Sequence, residues 1–155
     1  MGEMATPGSL AEVLALCVQK RYRSAMAISP NHDQFLELAQ ASERDKGPVV
    51  MLNLLKFKRQ AEGEPGTGAE AYMRYGDKAM AMVEERGGRI LWRGRPTQIL
   101  IGEEADGWDA VALVEYPSRK VFLEMVSQPS YLEAHAHREH GLERTVPLAC
   151  QSAEG

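Results

Sequence analysis

Pro48-Val-Val-Met-Leu-Asn-Leu-Leu-Lys-Phe57 is an apolar run of strand length, interrupted by one uncharged polar side chain, Asn53, and by Lys56 just before its end. Gly47-Pro48 punctuates its start, and Lys58, Arg59 and a Gly/Glu-rich stretch close it, so it reads as a buried central strand rather than a helix or a membrane span. Pro48 stands at the first strand position, where a missing N–H is tolerated. Side chains alternate along a strand, which puts Val50, Leu52 and Leu54 on one face and Val49, Met51, Asn53, Leu55 and Phe57 on the other. A buried amide needs partners, so Asn53 is expected either to tie down a neighbouring loop or to point into a cavity.

The rest of the chain is organised around that strand. With 155 residues, 44% hydrophobic and 26% charged, it has the length and composition of one soluble globular domain plus an extension. The extension is read as residues 1–46 and the domain as residues 47–152. A net charge of −4 argues against a nucleic-acid partner, although Arg86, Arg89, Arg93 and Arg95 concentrate positive charge locally. Cys17 and Cys150 stand far apart and suggest neither a disulfide framework nor a metal site, which fits a reducing cytoplasm. The run 10–18 fails as a secretory signal because it contains Glu12, lacks a basic leader and has Leu16 before Cys17. No apolar run reaches membrane-spanning length, so no membrane partner is expected.

Residues 9–23 carry Leu10, Val13, Leu14, Cys17 and Val18 along one helical stripe behind a Ser9 cap. A second helix is expected after Ser29-Pro30, with Phe35, Leu36, Leu38 and Ala39. Beyond the central strand, residues 60–68 form a glycine-rich acidic loop with no apolar anchor, expected to be mobile and placed as a lid. Residues 69–86 then give the clearest helix, with Tyr72, Tyr75, Ala79, Met82 and Val83 on its apolar face and Gly87-Gly88 at its end. Residues 89–101 read as a long strand bent near Gly94 and Pro96, the loop 102–107 closes a hairpin, and residues 108–116 form the next strand. Pro117 ends it, Ser118 caps a helix, Pro129 starts another, and residues 144–150 supply a last strand. The order βαββαβ is that of a ferredoxin-like α+β fold, an antiparallel sheet with helices on one face. The other face, assigned Met51, Leu55, Val111 and Leu113, is too apolar to meet water, so two subunits are expected to stack these faces into a shared barrel.

The central run, together with Gly87-Gly88, Trp108-Asp109, Glu115-Tyr-Pro-Ser-Arg119, Pro129-Ser-Tyr131, Arg138 and Gly141-Leu142, resembles domain of unknown function 1330, a family of small bacterial proteins, over residues 28–150. The resemblance implies the dimeric α+β-barrel superfamily, whose relatives include cofactor-free oxygenases, isomerases, haem enzymes and stress-response binders. Residues 9–23 depart from the usual family length.

For chemistry, Asn53, Asp109 and Glu115 are the candidate catalytic set, a carboxylate in an apolar cavity acting as general base while an amide polarises a carbonyl or phenol. The plainer readings are that Asp109 caps the hairpin and Glu115 pairs with Arg93 or Arg119. Tyr72, Tyr75, Trp92, Arg93 and Trp108 are candidate substrate-binding residues, or simply core and interface. His135, His137 and His140 have poor spacing for a metal and read as solvent-facing groups at a helix C-terminus, so no metal is assigned. No nucleophile motif, phosphate loop or nucleotide fingerprint is present. The expectation is a cofactor-free small-molecule enzyme of oxygenase or isomerase type, with its cavity between sheet and helices, acting on a compact aromatic or carbonyl-bearing ligand. The alternatives are a non-catalytic ligand-binding or stress-associated homodimer and a haem protein using one histidine.

Overall fold

The quoted run forms strand β1 (Val49–Phe57), and it is central: strands lie on both sides of it. The computed structural model describes residues 28–153, so the helix expected over residues 9–23 and Cys17 fall outside the described residues. β1 runs antiparallel to β3 (Ala110–Tyr116) and to β4 (Leu142–Cys150), and β2 (Arg89–Gly94) completes the sheet against β3 in the order β2-β3-β1-β4. The helices are α1 (His32–Arg44), α2 (Gly68–Glu85), α3 (Arg119–Val126) and α4 (Pro129–Gly141). This is a ferredoxin-like α+β fold.

Local chemistry sets the helix ends. Asn31 and Gln34 form a capping box on α1, and Thr67 and Glu70 do the same on α2. Ser118 caps α3 through the Val121 N–H, and Pro129 opens α4. Gly87, at φ +78°, turns the chain out of α2. Where the start of α2 meets the end of α4, Gly68 and Gly141 let two backbones touch: a Cβ on Gly141 would stand 2.3 Å from the Gly68 carbonyl oxygen. Lys58 N–H donates to Gly141 O (2.8 Å) and Gly68 N–H to Lys58 O (3.1 Å), locking this crossing onto the end of β1.

The register corrects the expected assignment of faces. Val49 and Met51 point toward the helices and join Met82, Val83, Tyr116, Met125 and Tyr131 in the core, and Leu55 is buried on the same face of β1. Burying a side chain such as Met125 or Val49 there stabilises the fold by about 1.5–3 kcal/mol. Leu54 lies opposite Val111, Leu52 opposite Leu113 and Val50 opposite Glu115, so the open face belongs to Val50, Leu52, Leu54, Val111 and Leu113, not to Met51 and Leu55. Both faces of β1 are apolar, and periodicity alone carries no label for which one the helices take.

The strand expected over residues 89–101 stops at Gly94, and its irregularity falls between Ile90 and Trp92 instead of at Gly94 and Pro96. The chain from residue 95 to 109 is a long connection holding one short helical turn (Glu104–Asp106). α1 packs on α3 through buried Phe35 and Ser42, with Arg119 beside Asp45 at 3.7 Å.

Candidate functional site

Asn53 pairs with Ala112 across β1 and β3, whereas Asp109 and Glu115 sit an odd number of residues from Ala112 and therefore on the opposite face. The three proposed catalytic side chains do not converge within the chain. Each has a local partner. Asn53 Nδ2 donates to the Met51 carbonyl (3.1 Å) and the Ala112 carbonyl (3.4 Å). Asp109 accepts from the Phe57 N–H (2.9 Å) and the Lys56 ammonium (3.2 Å), pinning the end of β1. Glu115 takes a 3.0 Å hydrogen bond from Arg89, a partner different from the Arg93 or Arg119 considered above.

Between sheet and helices runs a line of rings: Phe57, Tyr72, Tyr75, Tyr131 and His135, with successive centroids 5.3–6.0 Å apart. The Tyr75 and Tyr131 hydroxyls are 2.9 Å apart and share a hydrogen bond. Burial raises the pKa of Tyr131, Tyr72 and Tyr116 above the usual phenol range, neighbouring Tyr75 adds to this in each case, and Arg138 offsets part of it for Tyr72 and Tyr131. The other expected binding residues are dispersed. Trp92 is opposite Leu113 on the open face, its ring lying over Gly94, where any Cβ would collide with it at 2.5 Å. Arg93 is opposite Ala112 on the exposed edge strand. Trp108 carries the Arg144 guanidinium 4.2 Å above its ring.

The loop read as mobile is tied down by a residue that the sequence did not single out. Glu64 accepts from His140 Nδ1 (2.7 Å), His137 Nδ1 (2.8 Å) and Arg74 Nη1 (2.8 Å). Its burial pulls the carboxyl pKa up, but the hydrogen bonds from His137 and His140 and the charges of His137 and Arg74 outweigh that and leave it below the ordinary glutamate value. His137 and His140 are thus half-buried latch residues, and His135, also half-buried, pairs with Glu139 at 3.1 Å, so none of the three is simply solvent-facing. The sequence signal was partial, since His137 and His140 share a helix face, but nothing local points from them to Glu64. Among the described residues, no group of three or more His, Cys, Asp or Glu is arranged to hold a metal ion, and no helix is long and apolar enough to cross a membrane.

Two shallow grooves adjoin the Glu104–Asp106 turn. One is walled by Trp108, Ile99 and Gln98, and the other by Lys56, Arg144 and Glu143. Lys56 and Arg144 are register partners next to Leu54 and Val146, so the second groove closes one end of the open face. That face runs through all four strands, with Trp92 (53% exposed) and Leu148 (48%) at its two edges.

The family model described as domain of unknown function (DUF1330) matches residues 66–149. The chain belongs to this family. A solved protein of unknown function from Rhodopseudomonas palustris is 32% identical to this DUF1330 protein, covers 84% of this chain and 100% of its own, and superimposes with a TM-score of 0.79. The methylated form of that relative matches at 33% identity with the same TM-score of 0.79, over 84% of this chain and 98% of its own. A hydroxynitrile lyase from Passiflora edulis shares the fold at 15% identity, with a TM-score of 0.52 over 71% of this chain and 97% of its own. No curated protein matches the chain.

Proposed function

We propose that this DUF1330 protein is a cytoplasmic homodimer that binds a small molecule without a cofactor, and that it binds rather than transforms that ligand. The observation that carries the reading is the open sheet face: Val50, Leu52, Leu54, Val111 and Leu113 are only half-buried, Val146 and Leu148 are exposed, and no described element covers them. An apolar face through four strands is stabilised by stacking on a second copy, which removes it from water. The two grooves supply the ligand chemistry: Trp108 walls one, and Lys56 and Arg144, already engaged by Asp109 and by the Ala105 and Gly107 carbonyls, give the other a cationic rim that favours a carboxylate. Asn53, Asp109 and Glu115 are each held by a structural partner, which favours binding over the cofactor-free enzyme.

The enzyme reading keeps one support. The Tyr75–Tyr131 hydroxyl pair lies in the sheet–helix layer, against the His135 ring, where a buried phenol can donate a proton to a developing oxyanion. Native mass spectrometry of freshly purified protein separates the outcomes. A dimer carrying a small adduct supports the proposal, and the released adduct, incubated with fresh protein, reports whether it is consumed. Ligand-free monomer at micromolar concentration contradicts it.

A further inference from the structure

The connection between β2 and β3 is far longer than the two to five residues that join adjacent antiparallel strands, and it holds its most apolar residues outward. Leu100 is 84% exposed and Ile101 96%, more than any other large apolar side chain noted among the described residues. Ile99 is less exposed, at 41%: its side chain turns toward Gly102 and Gly107 and lines the groove beside Trp108. The base is fixed. Arg144 donates to the carbonyls of Ala105 (2.7 Å) and Gly107 (3.0 Å), and Asp106 accepts from the Glu103 N–H (2.9 Å). Gly102, at φ +125°, makes the turn that follows the tip. A loop anchored at its base that leaves two aliphatic side chains in water is built to deliver them elsewhere.

We infer that Leu100 and Ile101 form an arm that packs on the second copy of this chain in the dimer; the inference rests on the homodimer reading above. Two observations select a second copy as the occupant. First, the arm is continuous with the open face, because Arg144, which ties its base, is the register partner of Lys56 at the end of that face. Second, the exposed pair adds apolar surface beyond the outline of that face, whose four strands, about 4.8 Å apart and about seven residues long, span roughly 450 Å² in projection. A donated arm and a received arm on each subunit enlarge the apolar contact, and two-fold symmetry provides both at once.

The test is sedimentation equilibrium of the full chain, of an L100D/I101D double variant and of L113D on the sheet face. The arm predicts a dimer dissociation constant raised about 100-fold or more in the arm variant, as expected when two buried aliphatic side chains are lost from an interface, with unchanged far-UV circular dichroism. An arm variant that dimerises within threefold of wild type, while L113D dissociates, overturns the arm and leaves the homodimer standing. A monomeric wild type overturns both. A photo-crosslinking amino acid at position 101 decides the matter if the arm variant misfolds: crosslinks between subunits support the arm, and crosslinks confined to one subunit overturn it.

Discussion

His140, on the last turn of α4, donates through Nδ1 to the Glu64 carboxylate at 2.7 Å, joining a loop and a helix that are 76 residues apart in sequence. His137 and Arg74 complete the latch. Replacing Glu64 with Ala is expected to cost about 1.5–3 kcal/mol, the range for charged hydrogen bonds, and to raise amide exchange through residues 60–67. The carboxyl pKa is lowered by folding, so its contribution is complete above the ordinary value of 4.5 and is lost as pH falls through the folded-state value. The difference in melting temperature between wild type and E64Q should therefore narrow as pH drops below 4.5. A gap that is constant with pH would show that the carboxylate charge is not what holds the loop.

The Gly68–Gly141 crossing tolerates no added methyl. Gly141→Ala places Cβ against the Gly68 carbonyl and Gly68→Ala places it 2.2 Å from the Lys58 carbonyl. Each is expected to lower stability by about 1–3 kcal/mol, as overpacking does, seen as an earlier urea midpoint with unchanged slope. Gly76→Ala is the control, since a Cβ there meets nothing within 4 Å.

Three of the five tyrosines should resist ionisation. Burial raises the pKa of Tyr72, Tyr116 and Tyr131 in the folded protein, so they stabilise the fold fully below the ordinary value of 10 and progressively less as pH rises beyond it. A spectrophotometric titration should show these phenols ionising together with loss of near-UV circular dichroism. Five independent tyrosines titrating near pH 10 in folded protein would contradict the buried layer.

Asn53→Leu separates a structural amide from a binding one. Its Nδ2 donates to two main-chain carbonyls, so the loss expected is about 0.5–1.5 kcal/mol per hydrogen bond, with ligand occupancy unchanged. Lost occupancy at full stability would return Asn53 to the binding site.

How far these features were legible depends on whether their causes are local. The central strand, the Ser118 cap, the Pro129 start and the Gly87 stop are written in neighbouring residues, and each is found where the sequence places it. β2 ends at Gly94 although residues 99–101 are apolar, because no partner strand takes them up. Which face of the sheet the helices take is not legible in the sequence, because both sides of β1 are apolar and only pairing with β3 shows that Leu52 and Leu113 share one. The Glu64 latch is not legible in the sequence, because its members meet only where α2 and α4 pack.

The homodimer is tested most directly by the mass of the protein in solution at micromolar concentration, measured for wild type, for L113D on the open face and for M73D on the outward side of α2, where Met73 is 64% exposed. Stacked sheet faces predict twice 17.2 kDa for wild type and M73D and about half that for L113D, with the helical circular dichroism of all three alike. A wild-type mass of 17.2 kDa, or an L113D protein that remains dimeric, would contradict dimerisation through the sheet.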